Sequence, residues 1–547
     1  ERQLQPCTSH KHAPQCITCL YSQSSDTCRF QEIRFFCQNK DGKIIGFFFQ
    51  EDRDPETLSI DWPENWNVTL SATHIQELKK TAVGALLPIL RAELAHITNC
   101  DFIPIYRPRE TQVRATCDGC MTSIFVCSWM CRCCCQEVCN ECFEDLKELV
   151  SERPGDTSHD TIDDFVPVTR FTKSELENTV QDMCVLLGHE SVGDSGLPTA
   201  LINSEVMYSH GEAETSTMEP PSHEIRRFSA EDLTEDIFRP LWAKGDPLLV
   251  TDVGARFKVP WNPCYFIDTY GSQRCEVIEC QQGRTRDTTV REFFEQFGSN
   301  HEREECWKLK DWPPSSDFEM EFPQLFQDFN AAVPMPNYVR RDGVLNLASH
   351  FPLNTIVPDL GPKMYNAYAN LTDRDSKGTT QLHMDMSDAL NIMTYASLDS
   401  ENKDGRAVWD LFRAQDSNKI RRFLRAKFPK NSGDPIHGQE VYLDDNARRD
   451  LWTEHGVKSY RVYQTPGDAI FIPAGCVHQV RNLSDCIKVA IDFVSPENIK
   501  QCEKLTQEFR QENTRIPWKE DVLQLRTMMW FAWLSCCRQE KLAASRK

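Results

Sequence analysis

The segment TPGDAIFIPAGCVHQVRNL, beginning at Thr465, constrains the fold of this chain more than any other. Gly467, Pro473, Gly475, His478 and Asn482 punctuate two apolar runs. "DAIFI" reads as a strand, Pro473-Ala474-Gly475 as a tight turn, and "CVHQV" as a returning strand. The spacing therefore predicts a hairpin with His478 at the start of its second arm, presented by the turn.

Upstream, QLHMDMSDALNIMTYA begins at Gln381 and contains His383 and Asp385. Two His-x-Asp/Glu triplets occur, here and at His210-Gly211-Glu212, which is no more than composition supplies. What distinguishes the first is a second histidine to meet. Residues two apart on a strand project to one face, so His383 and Asp385 share a face. His478, from another strand, completes a set of two imidazoles and one carboxylate. That set leaves metal positions open and suits non-haem Fe(II); zinc with three protein ligands is the competing reading.

The cysteines form a second constellation. Of 25 in the chain, 15 fall between Cys7 and Cys142. A disulfide framework belongs to short secreted domains, and this chain is long and shows no secretory signal, so clustered C-x2-C pairs point to zinc. Cys117/Cys120, Cys131/Cys134 and Cys139/Cys142 are three such knuckles, and tetrahedral Zn(II) takes its thiolates from two. Interleaving the first with the third gives one site from Cys117, Cys120, Cys139 and Cys142. Cys131 and Cys134 then need ligands from elsewhere. Cys16 and Cys19, with Cys7 and Cys28, form a further site or supply that missing pair. Cys37, Cys100 and Cys127 read as free.

The 547 residues are enough for about two to four domains. Hydrophobic content of 40% with 26% charged residues describes a globular chain. The net charge of -21 disfavours binding to phosphate backbones and favours a basic partner or plain solubility. No run reaches the ~18 apolar residues of a membrane span, so no membrane partner is expected. The chain starts at Glu1 without Met, and it reads as a fragment of a longer protein.

Composition suggests a Cys-rich zinc-binding module over 1–180 with its finger core at 117–142, and a flexible acidic linker over 181–225. A catalytic domain follows over 226–515, and a C-terminal helix over 516–547. "HIQELKKTAVGALLPILRAEL" from His74 is an amphipathic helix candidate. In 226–515 short strands alternate with turns ("PLLVTDV", "AVWDLF", "CIKVAIDFV"), the pattern of a barrel or sandwich. Helices then place Ile499, Cys502, Leu505 and Phe509 on one face, and run from about Asp521 to Cys537.

The Gly467-to-Asn482 spacing resembles the second cupin motif. "VLNLASHFP", "PDLGPKMYNAYA", "GTTQLHMDMSDALNIMTY", "GDAIFIPAGCVHQVRNL" and "CIKVAIDFVSPENIKQC" together resemble the JmjC (jumonji) histone lysine demethylases. Within them the likeness is to the Jumonji-domain-1/Hairless group, which acts on mono- and dimethylated lysine 9 of histone H3. "CDGCMTSIFVCSWMCRCCCQEVCNEC" resembles that group's zinc finger, with Ser128 standing where the family has a histidine.

The resemblance implies a mainly β fold with α: a double-stranded β-helix (cupin/JmjC jelly roll), an N-terminal Cys-rich zinc module and C-terminal helices. It implies Fe(II) held by His383, Asp385 and His478, with 2-oxoglutarate as cosubstrate, O2, and structural Zn(II). Thr380 and Asn391 match the family's cosubstrate donors. The family's usual anchoring lysine position is here Asp399, and Lys488 is the substitute. Tyr365, Tyr368, Asp388 and Asp492 are candidates to receive a methylammonium. The implied reaction removes methyl groups and yields succinate, CO2 and formaldehyde. A JmjC hydroxylase and a non-catalytic chromatin scaffold are the alternatives. The implied partners are the histone H3 tail or nucleosome, chromatin and transcription factors and a second copy of the chain, and the implied location is the nucleus.

Overall fold

The computed structural model describes the chain except residues 11–12, 21–27, 32, 42, 50–58, 100–103, 108, 110–113, 153–161, 189–219, 300–302, 304, 314–316, 371–377, 399–402, 430–432, 515–519 and 546–547. Most of the expected linker, with His210, lies outside the described residues, as do Cys100 and Asp399. Among the described residues, no helix is long and apolar enough to cross a membrane.

Eight strands frame the middle of the chain: β1 (Lys363–Ala367), β2 (Thr380–His383), β3 (Asp388–Ala396), β4 (Ala407–Phe412), β5 (Tyr460–Gln464), β6 (Ala469–Ile472), β7 (Val477–Asn482) and β8 (Cys486–Phe493). One sheet contains β1-β8-β3-β6 in that order, the other β2-β7-β4-β5. The chain therefore changes sheet at nearly every step. The first sheet extends past β1 through Trp307–Trp312, Arg274–Glu279 and Thr285–Thr289, and past β6 through Leu248–Thr251 and Arg226–Ser229.

Alternation along the strands divides the two faces of the larger sheet. In β8, Ile487, Val489, Ile491 and Phe493 join a core with Phe238, Trp242, Phe266, Phe293 and Phe329, supplied by flanking helices. The intervening Lys488, Ala490 and Asp492 face a cavity between the sheets. β3 repeats this, with Leu390 and Ile392 outward and Ala389 and Asn391 inward. Each large apolar side chain so buried contributes about 1.5–3 kcal/mol.

The expected hairpin across 466–482 takes a different form. β6 is already paired on one edge with β3 and on the other with Leu248–Thr251. β7 cannot return beside it and pairs instead with β2 and β4. Pro473-Ala474-Gly475-Cys476 thus carries the chain from one sheet to the other. Period-2 alternation is the same in both arrangements, so the sequence pattern could not separate them. Gly475 sits at φ +74°, and a Cβ there would lie 2.4 Å from Gln501, so the crossover requires glycine.

The Cys-rich region is not an isolated unit. The expected helix spans Ala72–Asn99 and packs on the C-terminal helix Leu525–Ser545. Leu78, Leu86 and Leu90 share one core with Phe125, Phe171, Leu382, Val477, Leu505, Met529 and Trp530. The last helix starts later than Asp521 because Gln524 sits at φ +50°, outside the right-handed helical region. The Asp521 carboxylate accepts from Ser123 N and Oγ and, at 3.1 Å, from Gln524 N.

Candidate functional site

β2 and β7 are antiparallel neighbours with His383 and His478 directly opposite. Their ring centroids are 4.1 Å apart. His383 Nδ1 lies 2.8 Å from Gln381 O and His478 Nδ1 2.9 Å from Cys476 O. A carbonyl only accepts, so both Nδ1 atoms carry a proton, and Nε2 is the ring nitrogen turned toward Asp385. Each ring is thus oriented by the backbone two residues before it.

Asp385 is the third donor, and it lies just past the end of β2 rather than on the strand. Its two oxygens are 4.0 Å from His383 Nε2 and 3.8 Å from His478 Nε2. Gly475 N donates to Asp385 O at 3.0 Å, so the sheet-crossing turn that presents His478 also holds the carboxylate's backbone. The three donor atoms lie within 4.8 Å of one another. Two imidazoles oriented through Nδ1 and one carboxylate are a donor set that fits a divalent iron ion.

The triad opens into a cavity of about 560 Å³ between the sheets, lined also by Thr380, Asn391 and Lys488. Lys488 is 4% exposed. Its Nζ donates to Asn482 Oδ1 at 2.8 Å and stands 5.3 Å from the centroid of the Trp409 ring. Burial pulls its ammonium down to about 8. β8 lies between β1 and β3, so Lys488 projects from a central strand into the enclosed space. Tyr365 and Asp492 line the same cavity, with Glu279 and Glu440.

Two expected contacts are not brought to this cavity. Tyr368 stacks on Phe293 and donates its hydroxyl to Phe293 O at 3.0 Å. Asp388 is fully buried and accepts from Ala474 N, Ser495 N, Ser495 Oγ and Asn498 Nδ2. Burial pushes its carboxyl up to about 6 against those donors. It ties the sheet-crossing turn to the start of the following helix, and neither residue lines the cavity.

One cavity residue had no sequence signal. Asn366 on β1 is fully buried, lines the cavity, and neither atom of its amide has a partner among the described residues. Its register partner is Ile487, so its side chain shares the core face with Ile487 and Met364, while Tyr365 shares the cavity face with Lys488.

The cysteines gather as two sets of four. Cys117, Cys120, Cys139 and Cys142 form one and Cys7, Cys16, Cys19 and Cys28 the other, each within 4.8 Å. Backbone N–H groups of Gly119 and Cys139 point at Cys117 Sγ, and Arg510 points at Cys142 Sγ. Arg34 and Gln3 point at Cys7 Sγ. Donors aimed at sulfur favour thiolates, so both sets fit Zn(II).

Cys131 and Cys134 join neither set. Cys127 is held by Glu93, and Ser128 belongs to a buried network with Glu137 and Arg170. At the position where the resemblance has a histidine, this chain has a hydroxyl bonded to charged neighbours.

Residues 372–493 match the family described as "JmjC domain, hydroxylase". The chain is 39% identical over 344 residues to lysine-specific demethylase 3A of Rattus norvegicus, covering 54% of this chain and 28% of that protein. It is 39% identical over 342 residues to the Homo sapiens protein of that name, covering 26% of it. To lysine-specific demethylase 3 of Drosophila melanogaster it is 38% identical over 347 residues, covering 40%. The matches thus span less than half the length of these relatives.

Proposed function

We propose that this chain, a JmjC-domain protein, is an Fe(II)- and 2-oxoglutarate-dependent dioxygenase that removes methyl groups from mono- and dimethylated lysine 9 of histone H3. The observation that carries the reading is the triad itself. Two histidines, each oriented through Nδ1 by a backbone carbonyl, face one carboxylate at the mouth of a cavity containing a buried lysine. The strand order β1-β8-β3-β6 over β2-β7-β4-β5 is read as the jelly roll of that family.

When bound, Fe(II) with 2-oxoglutarate and O2 supplies the oxidising chemistry that converts an N-methyl group to formaldehyde, with succinate and CO2 as coproducts. The chain's own residues bind and orient. His383, Asp385 and His478 hold the iron. Lys488 receives the distal carboxylate of 2-oxoglutarate, a charge-assisted contact in a site screened from water by Trp409. Thr380 and Asn391 supply further hydrogen bonds to the cosubstrate. Tyr365, Asp492, Glu279 and Glu440 make the wall favourable for a methylammonium, through aromatic and carboxylate contacts. The acidic balance of the chain suits a basic histone tail.

The names of the relatives favour demethylation over hydroxylation, and the complete triad favours an enzyme over a scaffold. Two structural Zn(II) ions, one per set of four cysteines, hold the N-terminal region, with Cys131 and Cys134 outside both. Chromatin in the nucleus is the setting, with transcription factors and a second copy of the chain as further partners.

Mass spectrometry tests the reading. A histone H3 peptide dimethylated at lysine 9, incubated with the protein, Fe(II), ascorbate and 2-oxoglutarate, loses one or two methylene masses, and His383→Ala abolishes the loss. A stable gain of one oxygen would make the chain a hydroxylase instead. An unchanged peptide would sink the demethylase.

A further inference from the structure

Two cysteines outside both zinc sets meet on the wall of the cavity that contains His383, Asp385 and His478. Antiparallel pairing sets Glu279 opposite Trp307 and Ile278 opposite Lys308. Carried one residue further, that register places Cys280 opposite Cys306, and Cys280 N donates to Cys306 O at 2.8 Å. Ile278 and Lys308 line the cavity, whereas Val277 and Trp307 belong to the core behind it. Alternation therefore turns Cys280 and Cys306 toward the cavity side. Cys280 lines it at 9% exposure, and Cys306 lies deeper at 4%. Both are thiols in this structure.

A hydrogen-bonded antiparallel pair holds its Cα atoms about 5.5 Å apart, inside the range of about 4.4–6.8 Å that a disulfide spans. The two thiols are not equivalent. Cys306 Sγ lies 3.3 Å from Tyr368 O, and a carbonyl only accepts, so Cys306 keeps its proton. Cys280 is drawn below the usual thiol range by the Cys306 thiol and, less strongly, by the Lys308 ammonium, against its own burial. The member nearer the cavity is thus the better nucleophile, with a protonated thiol behind it. Gln381 Nε2 donates to Cys280 O at 3.4 Å, and Gln381 O accepts from His383 Nδ1, so the pair shares a wall with the metal donors.

We propose that Cys280 and Cys306 form a reversible oxidation site for a peroxide that enters this cavity. The Cys280 thiolate attacks one peroxide oxygen and the O–O bond breaks. The departing oxygen takes up a proton and leaves as water, and Cys280 becomes a sulfenic acid. The Cys306 sulfur then displaces that hydroxyl, which leaves as water with the Cys306 proton, and the S–S bond closes. Two thiols give up two electrons and two protons, and the peroxide is reduced to two waters. A thiol reductant restores the pair. None of these steps uses a metal in the triad, so the site stands apart from the proposed dioxygenase activity.

Hydrogen peroxide, added stepwise to the zinc-replete full chain without added iron, tests this through alkylation and peptide mass spectrometry before reduction. The expected product is a peptide pair linked through Cys280 and Cys306, lighter than its parts by two hydrogens. It forms before zinc is released, and dithiothreitol separates it. In Cys306→Val the link is lost and dimedone traps a sulfenic acid at Cys280. In Cys280→Ser, Cys306 is still alkylated after peroxide and denaturation. Near-ultraviolet circular dichroism of both variants stays native. Full alkylation of both cysteines in the peroxide-treated protein, or a link that forms only after zinc release, would overturn the proposal. So would oxidation of Cys306 in Cys280→Ser, or conversion of Cys280 to a sulfinic acid without a link.

Discussion

Lys488 Nζ and Asn482 Oδ1 are 2.8 Å apart in the lining of the cavity that contains His383, Asp385 and His478. Asn482 ends β7 and Lys488 belongs to β8, so one hydrogen bond fixes the buried ammonium on the side of the cavity that β7 and β8 share. With burial lowering Lys488 to about 8, the lysine is charged below that pH and neutral above it. The expected KM for 2-oxoglutarate is flat up to about pH 8 and then climbs by about tenfold per pH unit. Lys488→Met raises that KM by about tenfold to a hundredfold at pH 7 and removes the climb. Initial rates over a pH series check both. An unchanged KM in the variant would remove Lys488 from cosubstrate binding.

Asp388 carries a different load. Removing its carboxylate leaves four buried donors without an acceptor, and Asp388→Ala is expected to cost about 3–5 kcal/mol of stability. Because Ala474 N is one of those donors and Gly475 N holds Asp385 O, iron affinity falls as well. Denaturant unfolding and an iron titration measure the two effects. A variant of native stability would show that the bonds around Asp388 contribute nothing.

Glu137 sets an acid limit on the Cys-rich region. Burial alone would raise its carboxyl, but the Arg170 and Arg107 guanidiniums and the Ser128 hydroxyl hold it down at about 2, against a usual 4.5. A depressed carboxyl contributes stability that is fully present above the unfolded value and is lost as pH falls toward the folded one. The gap in unfolding free energy between the protein and Glu137→Gln is therefore expected to be about 3 kcal/mol larger at pH 7 than near pH 2. It shrinks between pH 4.5 and 2. A gap independent of pH would contradict this.

Zinc content follows from the two cysteine sets. Elemental analysis is expected to find two zinc ions per chain, one for each set of four. Cys117→Ser and Cys16→Ser each remove one ion. Cys131→Ser with Cys134→Ser removes none, and loss of an ion there would place that pair in a metal site.

The sequence picked out His383, Asp385 and His478, which the fold brings together, because their signal is local. An i, i+2 pair and a glycine-proline turn need no knowledge of distant partners, and the interleaved knuckles followed from spacing in the same way. What escaped depended on which strands become neighbours. Asn366 sits in an ordinary strand pattern, and nothing in that pattern marks an amide left buried without a partner among the described residues. The turn at Pro473–Gly475 looks the same whether its arms pair or part, and the occupied edges of β6 decide. Asp388 and Tyr368 have residue types that suit a methylammonium, yet core donors and Phe293 claim them. The fourfold set at Cys7, Cys16, Cys19 and Cys28 was one of two pairings the spacing permitted.

We propose that His383, Asp385 and His478 hold one iron beside 2-oxoglutarate. Anaerobic titration of Fe(II) into the protein with 2-oxoglutarate, followed by visible absorption, tests it most directly. A charge-transfer band that saturates at one iron per chain, and that is absent in Asp385→Ala, is the predicted result. The absence of a band in the unaltered protein, or an equal band in Asp385→Ala, would contradict it.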